Sequence, residues 1–254
     1  MPKKKKTALV IVLLILLISG YFGYKAVNLY LYNISSLTIE NYNDFINSLR
    51  IKNTMKIDQV IIPDEDYLSF NDIKVKNYFK DFKKLEYPES TDEFIKYALY
   101  DENDELMASF WIGSSNTYVQ MLKSEMTFYG TDDKRFLKID RVNFLKSNNI
   151  ENDIDLIKFL EKNKKANSNI FTSVKKMKGN YALQFFASIA FPIGEGITLI
   201  DGDYQGYIFN MKSNIRECNI LYNDKRYVFT FIKTDYFTDD YINEILNTVV
   251  IDKK

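Results

Sequence analysis

The chain of 254 residues contains no histidine and only one cysteine, Cys218. Without histidine, Ser-His-Asp and Cys-His nucleophile systems are impossible. Zinc sites lose their commonest nitrogen ligand, and one cysteine cannot replace it. An internal disulfide is excluded as well. These absences remove much of the known extracytoplasmic hydrolase chemistry. They leave carboxylate-based glycoside hydrolysis and Ser-Lys chemistry as enzymatic options.

Glycine and proline are also scarce, with nine and four residues. This scarcity argues against collagen-like segments and low-complexity linkers. The hydrophobic fraction of 46% is ample for a packed core. Removing the four lysines at positions 3–6 from the 34 basic residues leaves 30 against 34 acidic residues. Because nucleic-acid binding depends on a basic footprint, we expect no nucleic-acid partner.

The most informative feature present is the N-terminus, where a lysine block precedes residues 8–24, which carry no charge. At 1.5 Å per residue this stretch approaches the thickness of a bilayer core, about 30 Å. Aromatic residues at its far end are typical of an interface belt, and the lysines predict a cytoplasmic N-terminus. The predicted anchor residues are Lys3, Lys4, Lys5, Lys6, Tyr21, Phe22 and Tyr24.

The sequence therefore predicts a single-pass cell-membrane protein that contacts the lipid bilayer through this helix. Residues 1–6 form the cytoplasmic tail, 7–32 the transmembrane anchor and juxtamembrane helix, and 37–254 an extracytoplasmic domain. A cleaved signal peptide is the alternative, since a charged region followed by an apolar one fits it too. The absence of an A-x-A site favours the uncleaved anchor. A lipoprotein is excluded, because its lipid-modified cysteine would have to come directly after the apolar run, and the only cysteine is Cys218.

Periodicity predicts an α+β fold with antiparallel sheets and several amphipathic helices, either as one domain or as two lobes, 37–130 and 131–254. The predicted helices are 38–49, 78–85, 142–150, 154–160, 173–190 and 238–246. The predicted strands are 55–62, 94–100, 106–112, 117–122, 126–129, 196–200, 206–211, 217–222, 226–232 and 249–251. Cys218 is expected to be a small buried side chain of one such strand.

Two weak site patterns occur. Ser173 and Lys176 match S-x-x-K, in which a lysine one turn away activates a serine nucleophile. The partner S-D-N motif is absent, and a chance match is easy in a lysine-rich chain. Asp201 and Asp203 offer oxygen ligands for Ca²⁺, but the EF-hand spacing is missing and turn roles explain both residues. We therefore predict neither a metal nor a cofactor.

The expected function is an extracytoplasmic binding domain of the bacterial envelope, with a protein partner or self-association outside the membrane. One alternative is an envelope enzyme that uses carboxylates or the Ser173–Lys176 pair. A second alternative is an immunity or toxin-neutralising membrane protein. The lysine-rich, arginine-poor composition is typical of AT-rich bacterial genomes.

Overall fold

The computed structural model of the chain describes residues 3–37, 42–85, 94–124, 140–163, 173–232 and 235–252. It shows a mixed α+β fold with antiparallel sheets and several helices. The helices are α1 (Lys3–Leu37), α2 (Tyr42–Ser48), α3 (Tyr118–Lys123), α4 (Arg141–Ser147), α5 (Asp153–Asn163), α6 (Val174–Ala190) and α7 (Asp239–Asn247). The strands are β1 (Ile51–Ile57), β2 (Tyr67–Phe70), β3 (Ile73–Lys76), β4 (Lys83–Leu85), β5 (Phe94–Tyr100), β6 (Leu106–Asn116), β7 (Gly194–Gly202), β8 (Gln205–Met211), β9 (Ile215–Tyr222), β10 (Lys225–Ile232) and β11 (Val250–Ile251).

Eight strands form one sheet in the order β1-β7-β8-β9-β10-β6-β5-β4, and a small sheet has the order β11-β3-β2. All pairs of neighbours are antiparallel except β1 and β7, which are parallel. Strands on both sides of residue 130 belong to the large sheet, because β10 pairs with β6 from Lys225↔Asn116 to Ile232↔Ser109. The parallel strand β1 lies at one edge of this sheet.

One face of the large sheet packs against an apolar core rich in aromatic rings. This core also takes in side chains of α7 and of the small sheet. Phe79, fully buried in the turn before β4, stacks on Phe110 of β6 with ring centroids 3.8 Å apart. Cys218 of β9 is buried in the same core, as the sequence predicted.

The opposite face carries a second core, built with side chains of α2 to α6. Leu183, Phe186 and Ala187 lie on the side of α6 that meets β7 and β8. Gly179 allows α6 to pack closely against α4, since a Cβ at this position would overlap the ring of Phe144.

Several elements follow the sequence prediction and others do not. The β5–β6 hairpin, strands β7 to β10 and helices α5, α6 and α7 are confirmed. The predicted helix 78–85 is wrong, because this segment forms a turn and then strand β4, which pairs with β5. The predicted strand 117–122 is also wrong. The Thr117 side chain accepts a hydrogen bond from Gln120 N at 3.2 Å and so starts helix α3. The predicted strand 126–129 lies outside the described residues.

Helix α1 lies against α6. The side of α6 opposite the sheet carries Val174, Met177, Tyr181 and Phe185, a small cluster separate from the two cores. On α1, Lys25 is only 7% exposed, whereas the apolar side chains at positions 11–18 are 51% to 69% exposed. Across the residues that the structure describes, no helix is both long enough and apolar enough to cross a membrane.

Candidate interaction surface

Among the described residues outside α1, the large apolar side chain with the greatest exposure lies in the loop that follows edge strand β1. The strand ends at Ile57, and the chain then runs to a short 3-10 helix at Asp64–Asp66. Within this loop Val60 is 52% exposed and Ile61 is 83% exposed. A single exposed isoleucine is ordinary, so the significance of Ile61 depends on whether the loop around it is held in one conformation.

Hydrogen bonds fix the first half of the loop to the C-terminal end of α7. Asp58 N donates to Asn247 Oδ1 at 3.2 Å, and Val60 N donates to Asn247 O at 2.8 Å. The Gln59 side chain donates from Nε2 to Val249 O at 2.8 Å. These three bonds satisfy polar groups of the loop without using either apolar side chain.

Two further bonds fix the rest of the loop. Gln59 N donates to Asp203 Oδ2 at 2.8 Å, and Ile62 N donates to the Tyr67 hydroxyl at 3.1 Å. Ile61 is therefore presented to solvent by an ordered backbone. An apolar side chain on a preorganised loop can bind a protein pocket without the ordering cost of a flexible segment. We name residues 58–62 the Ile61 loop.

A buried polar network lies elsewhere, around the fully buried side chain of Asp153 at the start of α5. Its carboxylate accepts hydrogen bonds from Tyr118 N at 3.1 Å, Val119 N at 2.9 Å and the Tyr207 hydroxyl at 3.0 Å. Asp153 thus joins the first turn of α3 to strand β8. Burial raises the pKa of this carboxyl, although the three hydrogen bonds and the charge of Arg226 act in the opposite direction.

Arg226 of β10 extends this network across the sheet. Its Nη1 donates to the Tyr118 hydroxyl at 2.8 Å and to Asn219 Oδ1 at 3.1 Å, and it lies 3.8 Å from Glu217 Oε1. The guanidinium also stacks over the Tyr118 ring at 4.1 Å. Burial raises the pKa of the Tyr118 hydroxyl. The donors named here meet acceptors inside the fold, so the arrangement is suited to fixing α3 and α5 on the sheet.

The S-x-x-K residues lie at the start of α6. Ser173 is the N-cap, and its Oγ accepts a hydrogen bond from Lys176 N at 3.3 Å. The contact therefore involves the backbone of Lys176, while its side chain lies on the exposed surface. This geometry gives Ser173 a capping role.

The two calcium candidates lie at the end of β7. Asp203 holds the Ile61 loop through Gln59, and Asp201 is exposed in the strand. Among the described residues, no group of three acidic, cysteine or histidine side chains is arranged to hold a metal ion. Of the predicted anchor residues, Tyr21 and Tyr24 are more than half exposed and Phe22 is 38% exposed.

The sequence pattern did not single out the Ile61 loop. The run Val60-Ile61-Ile62 extended the predicted strand 55–62, whereas β1 ends at Ile57. The polar pair Asp58-Gln59 could have indicated the end of the strand, because it interrupts the apolar alternation just where β1 stops. The anchoring atoms of Asn247 and Asp203 are distant in sequence, so spacing alone does not reveal them.

No protein-family model, curated protein or solved structure matches this chain.

Proposed function

We propose that this chain is a single-pass protein of a bacterial cell membrane, with a cytoplasmic N-terminus and an extracytoplasmic domain that binds a protein partner. The observation that carries the proposal is the exposed apolar segment of α1. Eight successive apolar side chains, at positions 11–18, are all at least half exposed.

These side chains point to every side of the helix, because successive residues of an α-helix differ by about 100° in direction. A protein groove would cover one side and leave the others in water. A bilayer surrounds the whole segment, so lipid fits this pattern better than a groove. The uncharged stretch of residues 8–24 spans about 26 Å, close to the thickness of a bilayer core.

The orientation follows from the lysine block. Lys3, Lys4, Lys5 and Lys6 precede the apolar segment, and positively charged flanks remain on the cytoplasmic side. The domain that follows α1 is then outside the membrane.

The binding role is supported by the Ile61 loop. The loop is held by four backbone hydrogen bonds and one from the Gln59 side chain, while Ile61 remains 83% exposed. Preorganised apolar anchors of this kind contribute strongly to protein interfaces when they enter a pocket of the partner. The proposed partner is therefore a protein that offers an apolar pocket to Ile61.

The anchor is tested in intact cells. The double variant Leu13→Arg/Leu16→Arg is expected to leave the membrane fraction or to be degraded, because each arginine costs about 2.5–3.5 kcal/mol at the centre of a bilayer. The matched control, Leu13→Ile/Leu16→Ile, is expected to behave as wild type. Wild-type protein that dissolves completely in alkaline carbonate would refute anchoring.

The orientation is tested with a membrane-impermeant maleimide. Asn103→Cys, at the exposed tip of the β5–β6 hairpin, should react in intact cells, whereas buried Cys218 should not. Labelling of Asn103→Cys only after lysis would overturn the outward orientation.

The partner is tested with a photo-crosslinking amino acid at Ile61, and the same probe at exposed Glu102 serves as the control. We expect a discrete crosslinked protein from Ile61 alone. Competition by excess Ile61→Ala protein should be weaker than competition by excess wild-type protein. Equal crosslinking from both positions, or none from Ile61, would refute the proposed surface.

A further inference from the structure

A small cavity opens on the sheet face that packs against α7, beside the edge strand β1. Its volume is about 80 Å³. Met55 and Ile208 from the sheet and Ile242 of α7 supply its apolar walls. The polar lining residues are Asn53, Thr198, Asn210, Arg216 and Asp239. Such a space admits a few water molecules or a group the size of acetate.

The amides and the hydroxyl form a row across three strands. Thr198 Oγ1 donates to Asn53 Oδ1 at 2.7 Å, and Asn210 Nδ2 donates to Thr198 Oγ1 at 3.3 Å and to Gly196 O at 3.2 Å. This row holds the side chains of Asn53 and Asn210 in fixed positions at the cavity, which lowers the ordering cost of binding a polar ligand.

Arg216 of β9 supplies the charge of the site. Its side chain is only 19% exposed, whereas that of its ion-pair partner Asp239 is 78% exposed. The guanidinium has five N–H donors. Its two hydrogen bonds are long: Nε to Asp239 Oδ1 at 3.4 Å and Nη1 to Ile215 O at 3.4 Å. Among the described residues, Arg216 Nη2 has no hydrogen-bond partner.

The ion pair with Asp239 is a weak competitor for the guanidinium. An exposed pair contributes about 0–1 kcal/mol, because solvent screens the charges and the exposed side chain must lose conformational freedom. A guanidinium binds a carboxylate best through two parallel hydrogen bonds, whereas the present contact uses one long bond. A ligand carboxylate that met Arg216 from the cavity would use donors that the fold leaves unpaired.

We propose that this cavity is a binding site for a carboxylate group. Arg216 binds the charge, Asn210 and Asn53 border the carboxylate, and Met55, Ile208 and Ile242 contact the short carbon chain that bears it. The site goes beyond the proposed partner binding and does not depend on the membrane anchor. The carboxylate belongs either to a free organic acid or to the side chain or C-terminus of a protein.

The test uses full-length ¹⁵N-labelled protein in detergent micelles. Sodium acetate is titrated at constant ionic strength while the side-chain amide signals of Asn210 and Asn53 are followed. Acetamide, which has the same shape without the charge, is the matched ligand control. We expect a saturable shift with acetate and none with acetamide.

Two variants give opposite expected effects. Arg216→Gln should weaken acetate binding about 10-fold or more, because it removes charge-assisted hydrogen bonds. Asp239→Asn should strengthen binding about two- to fivefold, because it removes the competing carboxylate. Lys212→Gln, which breaks an exposed ion pair with Asp44 elsewhere, should leave the affinity unchanged. Thermal unfolding followed by the fluorescence of Trp111 checks that each variant is folded.

Two peptides distinguish a free organic acid from a protein as the source of the carboxylate: one with a free C-terminal carboxylate and the same peptide with an amidated C-terminus. If the free peptide binds more tightly than acetate and the amidated one does not, the carboxylate belongs to a protein. If acetate binds as tightly as the peptide, a small organic acid is the ligand. Absence of a saturable acetate shift, wild-type affinity in folded Arg216→Gln, or weaker binding in Asp239→Asn would overturn the proposal.

Discussion

The two faces of the eight-stranded sheet are stabilised in different ways. One face packs aromatic rings such as Phe79 and Phe110 in an apolar core. The other face, here called the helical face, packs against α2 to α6 and includes Asp153, which is fully buried, with Arg226 close to it. Apolar packing is non-directional and tolerates many arrangements. A buried charge is stable only where its hydrogen-bond partners have defined positions, so the helical face is the more specifically determined one.

Removing an aromatic ring from the apolar face is expected to have the largest effect. Phe79→Ala should lower the free energy of unfolding by about 3–5 kcal/mol, because it removes a fully buried ring and leaves a cavity. Denaturant unfolding followed by the fluorescence of Trp111, the single tryptophan, measures the change. Ile61→Ala, at an 83% exposed position, should change it by less than about 0.5 kcal/mol. A loss below 1 kcal/mol for Phe79→Ala would show that this core repacks easily.

On the helical face, Asp153→Asn should cost about 1–3 kcal/mol. The amide keeps one acceptor oxygen, but its NH₂ group then faces donors that had met the carboxylate: either Tyr118 N and the Tyr207 hydroxyl, or Val119 N. The matched control is Asp104→Asn, where the side chain is 86% exposed; it should be nearly neutral. Equal stabilities of the two variants would show that the buried charge has no specific role.

The buried carboxyl of Asp153 is expected to make the free energy of unfolding depend on pH, and the direction of this dependence follows from its pKa. Burial raises the folded-state pKa of Asp153 above its unfolded value, about 3.9. Between these two values the folded protein binds more protons than the unfolded chain, so stability falls as pH rises through this window. The difference in unfolding free energy between wild type and Asp153→Asn should therefore be largest below the unfolded pKa. A difference that grew with rising pH would mean that the hydrogen bonds to the carboxylate outweigh its burial.

The sequence predicts the two faces unequally. Apolar runs separated by turns in residues 94–112 and 196–232 reveal most of the sheet. The segment 78–85 misled the prediction, since Tyr78, Phe79 and Phe82 have helical spacing but fill the core from a turn. The partners of Asp153 are also not evident, because residues 118, 207 and 226 come together only through nonlocal strand pairing. The Ile61 loop is not evident from the sequence for the same reason, because its hydrogen-bond partners Asn247 and Asp203 are far from it along the chain.

The smallest expected effect comes from removing the N-cap side chains of two helices, one packed on each face of the sheet. Ser173 caps α6 on one side and Thr238 caps α7 on the other, each through its side-chain oxygen. Ser173→Ala and Thr238→Ala should each cost about 1 kcal/mol by denaturant unfolding. Ser173→Asp should restore the stability lost in Ser173→Ala, because aspartate is an equally good N-cap, although it has no hydroxyl nucleophile. If Ser173→Asp retained stability and lost a biological activity, the serine hydroxyl would have a chemical role beyond capping, and the Ser-Lys alternative would gain its first support.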